Sequence, residues 1–177
     1  MIEKPRFFFG LRIPKNYHRQ IITWRAAQFT LESGYQVAAD ALYFPLAYLG
    51  TLSDTKCQVL QRLAGQVRQP PFTLALDDAG YWPRAASIWL GSRSPPRALL
   101  QLAAVLRAQA ARNGCHQPPY PFHPQVVILR HVAPETVLPS CDFSWPLYFT
   151  HFTLMQSYYR QGRYHQQDVA QWSLYQE

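Results

Sequence analysis

The chain has 177 residues, 48% of them hydrophobic and 15% aromatic, which is enough apolar material for a packed core and too much for a disordered chain. Its formal net charge of +7 comes from 14 Arg and 3 Lys against 10 acidic residues. No run reaches the roughly 18 apolar residues needed to cross a bilayer. No basic and apolar leader with a small-residue cleavage site opens the chain, and three scattered cysteines, Cys57, Cys115 and Cys141, make neither a disulfide framework nor a metal knuckle. The expectation is a cytoplasmic protein with free thiols and neither cofactor nor metal.

In chain order, Arg6 to Ile13 is an apolar run around Phe7, Phe8 and Phe9 and reads as a central strand. Pro14 opens a helix of about 16 residues, with Tyr17, Ile21, Trp24 and Gln28 or Phe29 spaced along its inner face. After a polar loop at Glu32-Ser33-Gly34 comes a strand near Leu42 to Leu49, closed by Gly50. Ser53 or Asp54 caps a second helix whose buried stripe is Leu60, Leu63, Ala64 and Val67, and Pro70-Pro71 stops it.

Phe72 to Leu76 alternates as a half-buried strand, Asp77-Asp78-Ala79-Gly80 reads as a turn, and Ser87 to Leu90 as another strand. Ser94-Pro95-Pro96 starts a third helix, carried by Leu99, Leu102, Leu106 and Ala110 and ended by Gly114. A Pro-rich stretch, Gln117 to Pro124, leads into a strand from Gln125 to Arg130. Then follow a loop with Pro134 and Pro139, a strand from Leu147 to Tyr158, a Gly162 turn and a last strand near Val169 to Tyr175. Taken alone, these patterns predict an α+β chain with three helices.

Two stretches carry more. Pro121-Phe122-His123-Pro124-Gln125-Val126-Val127-Ile128-Leu129-Arg130 and Ala41-Leu42-Tyr43-Phe44-Pro45-Leu46-Ala47-Tyr48-Leu49-Gly50 resemble the two signature strands of the 2H phosphoesterases, specifically the bacterial RNA 2′,3′-cyclic phosphodiesterases or 2′-5′ RNA ligases. The resemblance extends over nearly the whole chain, through Gln69 to Gly80, Ile88 to Gly91 and Arg107 to Cys115. It implies a two-lobed pseudo-twofold α+β fold over residues 1–177, with antiparallel sheets facing a central cleft and helices outside. It also implies RNA ends or nucleotides as partners, a monomer, and no membrane or metal.

In that family each signature strand carries His-x-Thr. Residues i and i+2 of a strand point to one side, so the unit sets an imidazole beside a hydroxyl on one cleft wall. The resemblance implies that one imidazole activates a hydroxyl or water, the other protonates the departing oxygen, and the Thr hydroxyls hold phosphate. An imidazole, with a pKa of roughly 6.5, both takes and gives a proton near neutrality.

Here Tyr43 and Gln125 stand at the His positions and Pro45 and Val127 at the Thr positions, while Arg130 matches a family Arg near the phosphate. A phenol is a poor acid and a carboxamide exchanges no proton usefully. At about 10²–10⁴ in rate for each acid–base group, losing both costs roughly 5–11 kcal/mol of transition-state stabilisation. The expectation is a catalytically impaired member that retains RNA-end or nucleotide binding.

Two alternatives stay open: an altered phosphoesterase using Tyr43, His123 or His151, and a non-catalytic protein-interaction scaffold. His151-Phe152-Thr153-Leu154 also reads His-x-Thr-Leu, but it falls one strand beyond the family's second motif and is taken as an ordinary strand segment. His123 is taken as shaping the entrance of its strand. Trp82, Trp89, Trp145, Tyr148, Tyr158, Tyr159 and Tyr164 form the pool from which any base-stacking ring would come.

Overall fold

A computed structural model describes residues 3–175. The strands are β1 Arg6–Arg12, β2 Tyr35–Gln36, β3 Tyr43–Gly50, β4 Phe72–Leu76, β5 Asp78–Trp82, β6 Ser87–Gly91, β7 Gln125–Arg130, β8 Trp145–Phe149, β9 His151–Arg160 and β10 Arg163–Ser173. The helices are α1 His18–Gln28, α2 Asp54–Ala64 and α3 Arg97–Arg112. One sheet has the order β10-β9-β1-β3 and a second β2-β7-β6-β5, with a two-stranded β4-β8 ribbon beside them. Every pairing is antiparallel. This is the α+β, antiparallel-sheet architecture the sequence implied.

The same strand–helix–strand unit occurs twice. In β1-α1-β3 and again in β6-α3-β7 the flanking strands pair with each other. Each pair carries a bulge at the equivalent place. Phe9 faces Ala47 while Gly10 faces Pro45, which leaves Leu46 extra; Ile88 faces Leu129 while Trp89 faces Val127, which leaves Ile128 extra.

A bulge reverses the alternation beyond it. Burial from Tyr43 to Tyr48 therefore runs half-buried, buried, half-buried, buried, buried, exposed, and from Gln125 to Arg130 it repeats in the same order. Tyr48 and Arg130 thus come round to the side on which Tyr43, Pro45 and Val127 stand. The opposite sides supply core residues: Phe44 and Leu46 from β3, Val126 and Ile128 from β7, Phe9 and Leu11 from β1.

A buried cation ties the two units. Arg25, 4% exposed on α1, donates from Nη1 to the carbonyls of Val37 at 2.6 Å and Ile128 at 2.9 Å. Ile128 is the extra residue of the β7 bulge, and its carbonyl also accepts from the Val37 amide at 3.0 Å. The capping expectations hold where local chemistry decides them: the Ser53 hydroxyl accepts from the Lys56 amide, and Gly114 takes φ 81° after α3.

Several expectations are corrected. Pro14 precedes a short 3-10 turn, Lys15–Tyr17, and α1 has 11 residues, with Gln28 exposed and Phe29 buried just past its end. Residues 77–80 are not a turn, because Asp78 to Trp82 pair with Ser87 to Gly91. The expected single strand from Leu147 to Tyr158 is two, since β8 pairs with β4 whereas β9 pairs with β1 and β10. The last strand starts six residues early, at Arg163, and β2 has no counterpart in the sequence reading. Among the described residues no helix is long and apolar enough to cross a membrane.

Candidate functional site

Where β3 faces β7 there is a hollow of about 70 Å³ lined by Ala41, Tyr43, Pro45, Tyr48, Val127 and Arg130. One water needs roughly 10–15 Å³ on the same measure, so the space suits a small anion. Four of the predicted positions, Tyr43, Pro45, Val127 and Arg130, are brought together here. Among the described residues no imidazole lines this hollow.

Tyr43 lies flat on Phe8, ring centroids 4.7 Å apart. Burial pushes its phenol well above the ordinary range; the nearby Tyr48 and Tyr164 hydroxyls push the same way, Arg130 opposes them, and a hydrogen bond with Tyr164 adds to the rise. Tyr43 therefore stays protonated and can donate its O–H. The Tyr48 phenol is raised as well, by desolvation first, with Arg130 opposing and Tyr164 and Tyr120 adding. Arg130 is the cation among these hydroxyls, and among the described residues it has no carboxylate partner.

Gln125 shares a strand side with Val127, but its carboxamide is held beside the hollow rather than lining it. The Trp82 indole donates to Oε1 at 2.6 Å, and Nε2 donates to His123 Nδ1 at 3.2 Å. His123 in turn sits edge-on to Trp89, centroids 5.5 Å apart. Trp89 has room only because Gly80 lies across from it: a Cβ on Gly80 would come within 2.0 Å of the indole. The Asp-Asp-Ala-Gly segment that looked like a turn is the strand that seats this tryptophan.

The remaining histidines stand apart from this hollow. His151 Nδ1 is 3.1 Å from the Thr150 hydroxyl and Thr153 is buried, so the His-Phe-Thr-Leu match lies outside the lining residues. His18 Nε2 meets the Ile13 carbonyl at 2.9 Å, and His165 stacks on Tyr158 at 5.3 Å. Among the described residues no group of three or more His, Cys, Asp or Glu side chains is placed to hold a metal ion. All three cysteines are free thiols, as expected.

Sequence reading overlooks Ala41, Tyr48 and Phe8, and places Trp82 and Tyr164 only among candidate stacking rings. One signal pointed to Tyr48: it stands five residues after Tyr43 as Arg130 stands five after Gln125.

No family model matches the chain. It is 47% identical over 174 residues to the RNA 2′,3′-cyclic phosphodiesterase of Escherichia coli K12, covering 98% of this chain and 99% of that one. A crystal structure of a phosphoesterase superposes with a TM-score of 0.92 at 47% identity, over 97% of this chain and 99% of its own. E. coli LigT bound to 3′-AMP superposes with a TM-score of 0.92 at 46% identity, over 98% and 100%. TT0787 of Thermus thermophilus, 20% identical with a TM-score of 0.81, shares the fold.

Proposed function

We infer the function from one premise: this chain belongs to the RNA 2′,3′-cyclic phosphodiesterase family of 2H phosphoesterases. E. coli LigT has been crystallised with 3′-AMP, with ATP, with NADP+ and with phosphate. The reading for this chain is that the hollow between β3 and β7 holds the phosphate of an RNA 3′ end or a nucleotide, with the family's acid–base chemistry largely lost. The observation that carries it is the company in the hollow: Tyr43, Pro45 and Val127, at three of the four family motif positions, surround Arg130 without an imidazole.

The residues present suit binding better than turnover. An Arg fork grips phosphate oxygens through charge-assisted bonds, and a phenol held neutral adds an O–H donor. Neither relays a proton near pH 7. Gln125, fixed by Trp82 and His123, is a hydrogen-bonding group without a useful acid or base form.

The test is hydrolysis of an oligonucleotide ending in a 2′,3′-cyclic phosphate, beside equilibrium binding of the same molecule. The expected result is measurable binding with hydrolysis at least about 10⁴-fold slower than that of the E. coli relative, the product of two acid–base factors at their lower limit. Turnover comparable with that relative would sink the reading. A second reading rests on the contact of His123 with Gln125, which leaves an imidazole one side chain away from the hollow. It predicts a slow activity on some cyclic nucleotide or phosphoester that His123→Ala abolishes, and a silent substrate panel removes it.

A further inference from the structure

A second hollow, of about 340 Å³, opens along β9 and β10 and is lined by Glu3, Lys4, Arg6, Ser157 and the rings of Tyr158, Tyr159 and Tyr164. That size falls within the roughly 300–1,000 Å³ of ordinary small-ligand sites. Its two walls are fixed by register: Arg6 faces Ser157 across β1 and β9, and Tyr164 faces Tyr159 across β9 and β10. Residues opposed in this way share a sheet side.

Gln161 and Gly162, with φ of 54° and 74°, make the tight turn that ends this hairpin. Tyr159 and Tyr164 are 51% and 46% exposed with centroids 5.5 Å apart, so both rings offer uncovered surface. Among the described residues neither Lys4 nor Arg6 has a carboxylate within ion-pair range.

This hollow and the phosphate hollow are joined through one residue. Tyr164 lines the first, and its hydroxyl is near enough to Tyr43, in the second, to raise that phenol. Tyr43 thus has Arg130 of the facing sheet across the small hollow and Tyr164 near it, and Tyr164 pairs with Tyr159 in the larger hollow that Arg6 and Lys4 also line. Exposed rings interleaved with unpaired cations suit a single-stranded nucleic acid, whose bases stack on the rings while its phosphates meet the charges.

We propose that the β9–β10 hairpin is a binding platform for the single-stranded RNA that precedes a 3′ end seated in the phosphate hollow. The proposal deepens the functional reading above and rests on it. It makes affinity depend on strand length: nucleotides upstream of the terminus gain contacts that a dinucleotide lacks.

The experiment measures equilibrium binding of a dinucleotide and a hexanucleotide, both with 2′,3′-cyclic phosphate ends, to the full chain and to Tyr159→Ala, Lys4→Ala/Arg6→Ala and Arg130→Ala. The hexanucleotide is expected to bind the unaltered chain at least tenfold more tightly. Tyr159→Ala costs the hexanucleotide about tenfold, the low end of a lost stacking contact, and leaves the dinucleotide unchanged. Losing both cations flattens the hexanucleotide's dependence of log affinity on log salt by about 1.4, at about 0.7 per phosphate.

Equal affinities for the two lengths, or a Tyr159→Ala or Lys4→Ala/Arg6→Ala variant that weakens both lengths alike, overturn the platform. If Arg130→Ala weakens both oligonucleotides while the hairpin variants change neither, the hollow stands and the platform falls. If the hairpin variants selectively weaken the hexanucleotide but Arg130→Ala and removal of the terminal phosphate change nothing, the strand lies on the hairpin and the reading of the phosphate hollow falls.

Discussion

On the proposed reading, Arg130 and Tyr43 are the groups that meet a phosphate in the hollow. A hydrogen bond to a charged group contributes about 1.5–3 kcal/mol, so Arg130→Ala is expected to weaken nucleotide binding about 10–100-fold in a calorimetric titration. Arg130→Lys keeps the charge, loses the planar fork and recovers only part of the affinity. Restoring the family set, Tyr43→His with Pro45→Thr, Gln125→His and Val127→Thr, is expected to raise cyclic-phosphate hydrolysis at least about 10⁴-fold, the lower limit for two acid–base groups. An unchanged rate would mean that the scaffold no longer presents the substrate.

Tyr43 also sets an alkaline limit. An unfolded chain ionises its phenols near pH 10, whereas burial keeps the Tyr43 proton on to higher pH in the folded state. The folded form then binds more protons than the unfolded one, so the contribution of Tyr43 to stability is complete below about pH 10 and is lost as the pH rises further. Urea midpoints are expected to fall as the pH rises above about 10, and less steeply for Tyr43→Phe. Tyr48 leaves a smaller decline behind.

Among the elements, β5 and β6 show how a sheet edge serves a site it does not line. Gly80 makes way for Trp89, Trp89 abuts His123, and Trp82 and His123 together hold the Gln125 amide. Overpacking at such a contact typically costs about 1–3 kcal/mol. Gly80→Ala is expected to lower stability by that amount, read as a shift in denaturant midpoint with an altered tryptophan emission.

The same edge shows where sequence patterns stop informing. Asp-Asp-Ala-Gly has the composition of a turn, but the Asp77 amide reaches the Gly91 carbonyl and its carboxylate accepts from the Arg93 amide, which recruits the segment into the sheet. Only the position of Trp89, on the neighbouring strand directly across from Gly80, explains why a glycine stands in a strand. β10 escaped for a different reason: most of its residues are exposed and polar, so it has no apolar alternation to read. The signature strands β3 and β7 and helix α3 were legible because an apolar side faces the core in each.

For the molecule as a whole, the repeated strand–helix–strand unit was legible, and so was the meeting of Tyr43, Pro45, Val127 and Arg130. The bulges at Leu46 and Ile128 were not, since an extra residue is defined by its partner strand and leaves no local mark. Nor was Arg25, which the pattern of α1 would place among solvated cations and which the fold buries between Val37 and Ile128. Arg25→Ala leaves the Val37 carbonyl without that charged donor. A loss of about 1.5–3 kcal/mol is expected in chemical denaturation, with weaker nucleotide binding on the proposed reading, because the same guanidinium steadies the bulge that turns Arg130 toward the hollow.

β3 and β7 share a burial pattern and a bulge, but they turn unlike side chains to the hollow, Tyr43 and Tyr48 from one and Val127 and Arg130 from the other. Polarity is imposed by unlike neighbours: an amide clipped between an indole and an imidazole on one flank, and a tyrosine-faced ribbon on the other. A strand bound as proposed would thereby be keyed: threaded backwards, its trailing bases would have nothing to lie against.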